Sequence, residues 1–389
     1  MQVVNPQVIH NKKVLLRYDI DVALRLPSSF DILRTNPERS RMGSVAQGHD
    51  LVVGEDYKLK AGLETLRLCL ENASKVIIIG HLGRPQSVYT IGGKPFATAE
   101  DEKKGNPPQL SVKPIQEWLE QTLGQPVDFA ESLEVVSSSD SKIVLLENIR
   151  FFHGEVPGAE YHATCISKTC DIDFAKKLAS LGDFYVNEAF SSYNKAASTT
   201  MVPDLLPHAA GLRFVKEVET LLSVRNNPKK PFVAIMGGAK VKDKIPVINV
   251  LSQKADSILV GGKLAQEIGE QNLNLPKNVT VGKLSDDGLD ISSDTTISWS
   301  GVISKAAQII WNGPLGKSED PKNNQTEKVV QLILNSKAEV VIGGGDSVAA
   351  LSQYELLQKA QQKAFVSVGG GAMLKLLADG TLPTIEALV

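Results

Sequence analysis

A chain of 389 residues is longer than one ordinary core accommodates, so two domains are expected. A net charge of −2 excludes the basic excess of a nucleic-acid binder, and no apolar run approaches the roughly 18 residues of a membrane span. Cys69, Cys165 and Cys170 make neither an even disulfide framework nor a CxxC metal pair, and the start Met1-Gln2-Val3-Val4-Asn5-Pro6 lacks a basic region followed by an apolar one, so reduced, cytoplasmic residence is expected.

The first apolar run, Val14-Leu15-Leu16, closes on Arg17, Asp19 and Asp21. The two aspartates alternate with Tyr18 and Ile20, so in an extended segment both carboxylates face one side, where they can accept from a substrate hydroxyl or pair with arginines. Residues 26–50 are polar and read as a loop or insertion, in which Arg34, Arg39 and Arg41 are interspersed with Glu38. Tyr57 to Leu70 predicts a helix with Leu59, Leu63, Leu66 and Cys69 on one face. Val76-Ile77-Ile78-Ile79 closes on His81 and Arg84, and a second polar stretch fills residues 86–108. A helix over Val112 to Leu123 precedes Ile143-Val144-Leu145-Leu146, which closes on Glu147, Asn148 and Arg150. A helix over Asp173 to Leu181 precedes Phe184-Tyr185-Val186, which closes on Asn187 and Glu188. Pro203 to Val224 opens with prolines and becomes helical, as a connector between domains would.

From here the apolar runs end on glycine: Gly237-Gly238-Ala239-Lys240, Gly261-Gly262-Lys263, Asn312-Gly313-Pro314, Gly343-Gly344-Gly345-Asp346 and Gly369-Gly370-Gly371. Short apolar runs alternating with helical patterns predict parallel sheets covered by helices on both faces, with ligands at the carboxyl ends of the strands. The first half offers charged side chains there; two guanidiniums and an imidazole suit a small substrate bearing carboxylate and phosphate. Glu147 and Glu188 read as supporting groups. The second half offers bare backbone N–H groups, which suit phosphates. Lys240 and Lys244 share a helix face and read either as an anion site or as a tight turn followed by a solvated helix. Asp346 can face Mg²⁺, which typically takes one or two carboxylates plus nucleotide phosphates. Gly313-Pro314-Leu315-Gly316-Lys317-Ser318 is not a P-loop, because Trp311 stands where its first glycine belongs. No GxGxxG follows a strand, which argues against a dinucleotide dehydrogenase.

In order and spacing, these stretches resemble the phosphoglycerate kinase family over nearly the whole chain: His81-Leu-Gly-Arg-Pro85, Leu145-Leu-Glu-Asn-Ile-Arg150, Phe174 to Asp183, Tyr185-Val-Asn-Glu-Ala-Phe190, Pro231 to Ile245, Trp311-Asn-Gly-Pro-Leu-Gly316, Gly343-Gly-Gly-Asp-Ser347 and Gly369-Gly-Gly-Ala372. The resemblance implies an α/β fold of two Rossmann-like domains, each a parallel sheet flanked by helices, facing across a hinge-bending cleft. It implies a substrate domain over 1–204 with the tail 379–389 returning to it, and a nucleotide domain over 205–378. The implied reaction moves a phosphoryl group between 1,3-bisphosphoglycerate and Mg·ADP, giving 3-phosphoglycerate and ATP, in a cytoplasmic monomer with small-molecule substrates and neither nucleic acid nor membrane as partner. By position, Asp19, Asp21, Lys58, His81, Arg84, Arg150 and Lys195 would hold the phosphoglycerate, with Arg150 also acting in catalysis. Lys240 would reach the transferring phosphoryl group, to which Gly370 and Gly371 would donate N–H bonds. Gly238, Ala239, Lys244, Gly262, Asn312, Pro314, Glu319, Gly344, Gly345, Asp346 and Ser347 would bind the nucleotide, Lys244 at its phosphates, Glu319 at the ribose and Asp346 through Mg²⁺.

The chain departs from the family at several points. The family's "DDTRI" reads Glu55-Asp56-Tyr57-Lys58-Leu59, and its "GTAHRAHAS" reads Ser191-Ser192-Tyr193-Asn194-Lys195-Ala196-Ala197-Ser198-Thr199, so lysines replace two arginines and the histidines are lost. Asp21 stands for the family's asparagine, Lys263 for a glycine, and Lys317-Ser318 for an apolar pair beside the ribose. Lysine keeps the charge and loses the bidentate fork; Arg34, Arg39 or Arg41 is a candidate to restore it. An active divergent member, an impaired relative that binds nucleotide or a partner, and a kinase for a different carboxylate are the readings compatible with these changes.

Overall fold

Short runs of valine, isoleucine and leucine pair in parallel to build two six-stranded sheets. The computed structural model describes residues 1–27, 51–84, 110–155, 169–238, 241–317 and 324–389, and for 169–171 and 243 it describes the backbone alone. Arg34, Arg39, Arg41, Ala239, Lys240, Ser318 and Glu319 lie outside the described residues. The chain divides into one unit of Met1–Val215 with Pro383–Val389 and another of Lys216–Leu382.

The first unit contains β1 (Lys13–Arg17), a small antiparallel ladder of β2 (Leu24–Arg25) and β3 (Val52–Val53), then β4 (Lys75–Ile79), β5 (Asp128–Ala130), β6 (Ile143–Leu146), β7 (Phe184–Asn187) and β8 (His208–Ala210). Its sheet runs β5-β6-β4-β1-β7-β8, every pair parallel. β6 and β7 are buried at every position, and β1 and β4 at every position after the first. That is why they read as continuous apolar runs rather than alternating ones. Leu16, Ile78, Leu145 and Val186 from these strands share a core with Leu66, Ile115 and Leu119 of the covering helices.

The carboxylates that follow two strands hold helix ends. Glu147, after β6, accepts from Val112 N at 2.8 Å and Ser111 Oγ at 2.7 Å, at the start of the helix Lys113–Leu123. Glu188, after β7, accepts from Arg213 N and Phe214 N in the first turn of Leu212–Asn226. Both satisfy backbone donors that have no intrahelical acceptor.

The helix expected over Tyr57 to Leu70 is two helices, Tyr57–Ala61 and Leu63–Asn72, with Gly62 between them. A Cβ at Gly62 would lie 2.5 Å from Tyr18 Cε2, so only glycine lets the chain pass the ring. Tyr18 is fully buried, and its hydroxyl donates to Leu59 O at 2.5 Å, tying the helix that carries Lys58 to the end of β1.

The second unit contains β9 (Phe232–Met236), β10 (Ser257–Val260), β11 (Val279–Val281), β12 (Gln308–Asn312), β13 (Glu339–Gly343) and β14 (Ala364–Ser367). The sheet runs β11-β10-β9-β12-β13-β14, which in chain order is the 3-2-1-4-5-6 arrangement of a Rossmann sheet, reversing between β9 and β12. The segment 203–224 holds more than a connector, since it contributes β8 and the start of the helix Leu212–Asn226, inside which the two units divide. At the other end of the chain, the short helix Pro383–Glu386 packs on the helical turn Ala197–Met201 of the first unit.

Gly62→Ala is expected to destabilise the protein by about 1–3 kcal/mol, the usual cost of forcing an atom into a filled site. Urea denaturation measures this; an unchanged midpoint would show that Tyr18 can move aside.

Candidate active site

In the first unit, side chains converge where β1, β4 and β6 end. Ile149 N donates to Gly80 O at 2.9 Å, and Asn148 Nδ2 donates to Leu82 O and Leu110 O, so the turn after β6 is fastened to the loop after β4. That loop is fastened in turn to the segment after β1, because Gly83 N donates to Asp21 Oδ1 at 2.9 Å. Arg150 sits in the turn Ile149–Phe151 and donates from Nη1 to Gly83 O. Lys58 donates to Asp21 O at 3.0 Å, with its ammonium 4.0 Å from Asp19 Oδ1. Asp19 is 4% exposed, and neither of its carboxylate oxygens has a hydrogen-bond partner.

His81 and Arg17 lie at the centre. Arg17, the last residue of β1, is fully buried; it bonds His81 Nδ1 through Nη2 at 2.7 Å, Tyr18 O through Nη1 and Ser198 Oγ through Nε. The other ring nitrogen of His81 lies 3.8 Å from Asp21 Oδ2. Burial, then the positive fields of Arg17, Arg150, Lys58 and Arg84, hold the His81 imidazole well below its ordinary pKa. Arg84 is exposed.

Of the residues expected here, Asp19, Asp21, Lys58, His81 and Arg150 come together. Lys195 is exposed, three positions before the Ser198 that holds Arg17. Arg17, Ser198 and the buried Glu155 were not expected as site residues. A charge closing a fully apolar run is a signal for Arg17, and Ser198 falls in the segment that aligns with the family's "GTAHRAHAS", whereas nothing in the sequence around Glu155 marks it.

In the second unit, backbone takes the place of side chains. At the reversal point of the sheet Gly237 N donates to Asn312 O at 2.9 Å and Gly238 N to Pro314 O at 2.6 Å. A Cβ on Gly237 would lie 2.2 Å from Pro314 O, so the two strand ends cross at a separation only glycine permits. Lys244 is buried beneath this crossing, donating to Gly237 O, to Asn312 Oδ1 at 3.0 Å and to Asn312 O at 3.4 Å. It ties strand ends together. Asn312 Nδ2 donates to Gly343 O, and Ser347 Oγ accepts from Gly313 N while donating to Gly343 O, which joins the end of β13 to the same knot.

Two helices begin beside it. Gly344 precedes Gly345–Gln353 with φ +108°, and a Cβ on Gly370, which starts Gly370–Asp379, would lie 2.4 Å from Gly344 Cα. Asp346 is exposed in the first turn of Gly345–Gln353, and Gly371 is exposed in that of Gly370–Asp379. Gly262, at φ +62°, starts the helix Gly262–Glu270, on which Lys263 faces solvent 4.0 Å from Glu267. Among the described residues no cluster of three or more His, Cys, Asp or Glu could hold a metal, and no helix is long and apolar enough to cross a membrane.

A Rossmann-ordered sheet ending in backbone-lined glycine turns, in a chain whose other sheet ends in a cationic cluster, defines an α/β protein built to handle phosphorylated small molecules. The family profile described as phosphoglycerate kinase matches residues 44–283 and 267–380. The phosphoglycerate kinase of Desulfovibrio desulfuricans is 34% identical over 390 residues, covering 87% of this chain and 92% of the relative. That of Finegoldia magna is 30% identical over 439 residues, covering 98% and 97%. The structure of phosphoglycerate kinase from Coxiella burnetii matches with a TM-score of 0.70 at 25% identity over 98% of this chain and 96% of that one. The chain belongs to the phosphoglycerate kinase family and is a phosphotransferase.

The depressed His81 pKa has a consequence for stability. In the unfolded chain the ring takes its proton near the ordinary value of about 6.5, whereas in the folded protein it does so only at lower pH. Over that window the unfolded state binds more protons, so the stability tied to this group is complete above about pH 6.5 and is lost as pH falls to the folded value. Urea midpoints are expected to fall between about pH 7.5 and pH 5.5, and to fall less steeply in His81→Gln. Parallel declines in the two proteins would remove His81 as the cause.

Proposed function

We propose that this protein moves a phosphoryl group between 1,3-bisphosphoglycerate and Mg·ADP, the first unit holding the phosphoglycerate and the second the nucleotide. The observation that carries this reading is the Asp19 carboxylate, buried without a hydrogen-bond partner and with the Lys58 ammonium 4.0 Å away, in a site where the fields of Arg17, Arg150, Lys58 and Arg84 fall on His81. A desolvated carboxylate calls for a hydroxyl donor, and the surrounding cations call for an anion. 3-Phosphoglycerate brings a hydroxyl between a carboxylate and a phosphate. Arg84 and Arg150 supply bidentate forks for its acidic groups, Lys58 and Lys195 supply point charge, and Asp21 and His81 flank the hydroxyl.

On the second unit, phosphates lie against the turns at Gly262 and Gly344–Gly345, where backbone N–H groups and helix N-termini offer donors, and the family resemblance adds Gly238 and Ala239 to the nucleotide site. Asn312, Pro314 and Glu319 line the nucleotide. Ser347 shapes the turn through Gly313, and Lys244 adds positive field from beneath while holding Asn312. The exposed carboxylate of Asp346 fits Mg²⁺ carried on nucleotide phosphates, for which one protein carboxylate suffices. Bound there, Mg²⁺ neutralises phosphate charge. The first N–H groups of a helix have no intrahelical acceptor, so Gly370 and Gly371 can donate to the phosphoryl group in transfer. Lys240 balances the charge that develops on it. Catalysis of this kind is positioning and electrostatic stabilisation, with no covalent step asked of the protein. The reading includes a monomer in the cytoplasm with small-molecule substrates.

The test is the reverse reaction, 3-phosphoglycerate with Mg·ATP, coupled to glyceraldehyde-phosphate dehydrogenase and NADH oxidation. Lys240→Ala is expected to lower kcat by roughly 10²–10³-fold. Asp19→Asn is expected to raise KM for 3-phosphoglycerate about tenfold or more while leaving KM for ATP unchanged. Intact Mg·ADP binding without transfer would favour an impaired relative, and transfer to another acid would favour a different carboxylate substrate.

A further inference from the structure

A buried line of polar groups runs behind the proposed phosphoglycerate site. Glu155, 2% exposed, accepts from Ser198 twice, through Oγ at 2.6 Å and through the backbone N at 3.0 Å. The Ser198 hydroxyl thus has its proton on Glu155, and its lone pair faces Arg17 Nε at 3.0 Å. Tyr185 fixes the same turn, its hydroxyl donating to Ser198 O at 2.7 Å. With Nε on Ser198 and Nη1 on Tyr18 O, the guanidinium has one orientation, and in it Nη2 meets His81 Nδ1 at 2.7 Å.

A guanidinium has donors and no acceptor. The nitrogen it meets must therefore be the acceptor of the imidazole, which puts the ring proton on Nε2. Asp21 Oδ2 stands 3.8 Å from Nε2, beyond hydrogen-bond reach, so this N–H is turned toward the site without being consumed there.

We infer that Arg17, oriented by Ser198 and Glu155, is a positioning residue that locks His81 as the neutral Nε2–H tautomer and thereby presents a fixed N–H donor to the substrate. The lock rests on the geometry of the first unit alone; its use for phosphoglycerate rests on the function proposed above. Glu155 is the buried counter-charge for Arg17, and the hydroxyl of Ser198 transmits its hold. Removing that hydroxyl leaves Arg17 charged and buried but free to turn. Both ring nitrogens of His81 can then carry the proton, and the fraction of protein with a donor facing substrate falls.

The test uses the full chain labelled with ¹⁵N-histidine. Long-range ¹H–¹⁵N spectra separate a protonated from an unprotonated ring nitrogen, and His81→Asn identifies the signal among the six histidines. In the native protein at neutral pH, His81 Nδ1 is expected at the unprotonated shift and Nε2 at the protonated one. Ser198→Ala is expected to move both toward averaged values and to raise KM for 3-phosphoglycerate about tenfold. Values of kcat and KM for ATP should hold, and Ser198→Thr should restore both readouts. Arg17→Met should give the larger shift where it folds; Ser198→Ala decides the matter where it does not. A native Nδ1–H tautomer, or a Ser198→Ala protein with unaltered shifts, overturns the lock. Averaged shifts with an unchanged KM overturn its role in binding. If the native protein shows the locked tautomer but no turnover of 3-phosphoglycerate, the lock stands and the functional reading fails.

Discussion

A parallel sheet covered on both faces leaves one kind of place for polar chemistry, the ends of its strands, and both units are organised by that restriction. Within β1, β4, β6 and β7 every position after the first residues is buried, so a charged group can enter only where the ladder stops. Arg17 marks the limit. It is the last residue of β1, paired with Ile79 and Asn187 on either side, and its charge is almost wholly removed from water. A buried charge is tolerable only with counter-charge and hydrogen-bond partners. Tyr18 O, Ser198 Oγ, His81 Nδ1 and the field of Glu155 meet that requirement, so the demands of one guanidinium dictate much of the surrounding arrangement.

The second sheet answers the same restriction differently. Where β9 and β12 end, their backbones approach so closely that side chains are excluded, and the polar groups on offer are peptide N–H and C=O. Lys244 adds a buried positive charge to hold the crossing, with Asn312 as the hinge between it and β13. A Cβ at Gly237 or Gly370 would occupy the space of the neighbouring backbone, so glycine is what lets these turns approach so closely. One unit ends its strands in side-chain polar groups and the other in backbone ones, a division that suits the function proposed above.

Nine of the twelve strands in the two six-stranded sheets announce themselves as apolar runs, and the three that do not are β5, β8 and β11, each an edge strand of three residues. An edge strand is half covered and short, so it carries too few apolar residues to stand out from a loop. The break at Gly62 is hidden for the opposite reason: the apolar spacing runs straight through it, and the ring of Tyr18 that excludes a Cβ there is distant in sequence. The same contrast holds at the site. Asp19, His81 and Arg150 follow apolar runs directly and are legible. Ser198 contacts Arg17 across 181 positions and Glu155 reaches it through Ser198, 43 positions away, so no local apolar pattern encodes them. Lys244 was visible as a charge beside a glycine turn, but its inward direction depends on where β12 ends.

The lysines that stand for arginines bear on geometry more than on charge. Lys58 keeps an ammonium beside Asp19 and anchors the Asp21 carbonyl, so it already has a structural task in the site. An ammonium attracts an anion from any direction, whereas a fork selects one orientation. On the function proposed above, the orientation lost at positions 58 and 195 comes from groups held by hydrogen bonds, and the first unit holds several: Arg150 tied to Gly83 O, Asp21 tied to Gly83 N, and His81 tied to Arg17. The turn that carries Ser198 is itself braced by the C-terminal helix Pro383–Glu386. On the function proposed above, a site with fewer forks keeps its selectivity in hydrogen-bonding groups held in place, which puts the burden of recognition on the hydroxyl end of the substrate, with Asp19 as acceptor and His81 as donor.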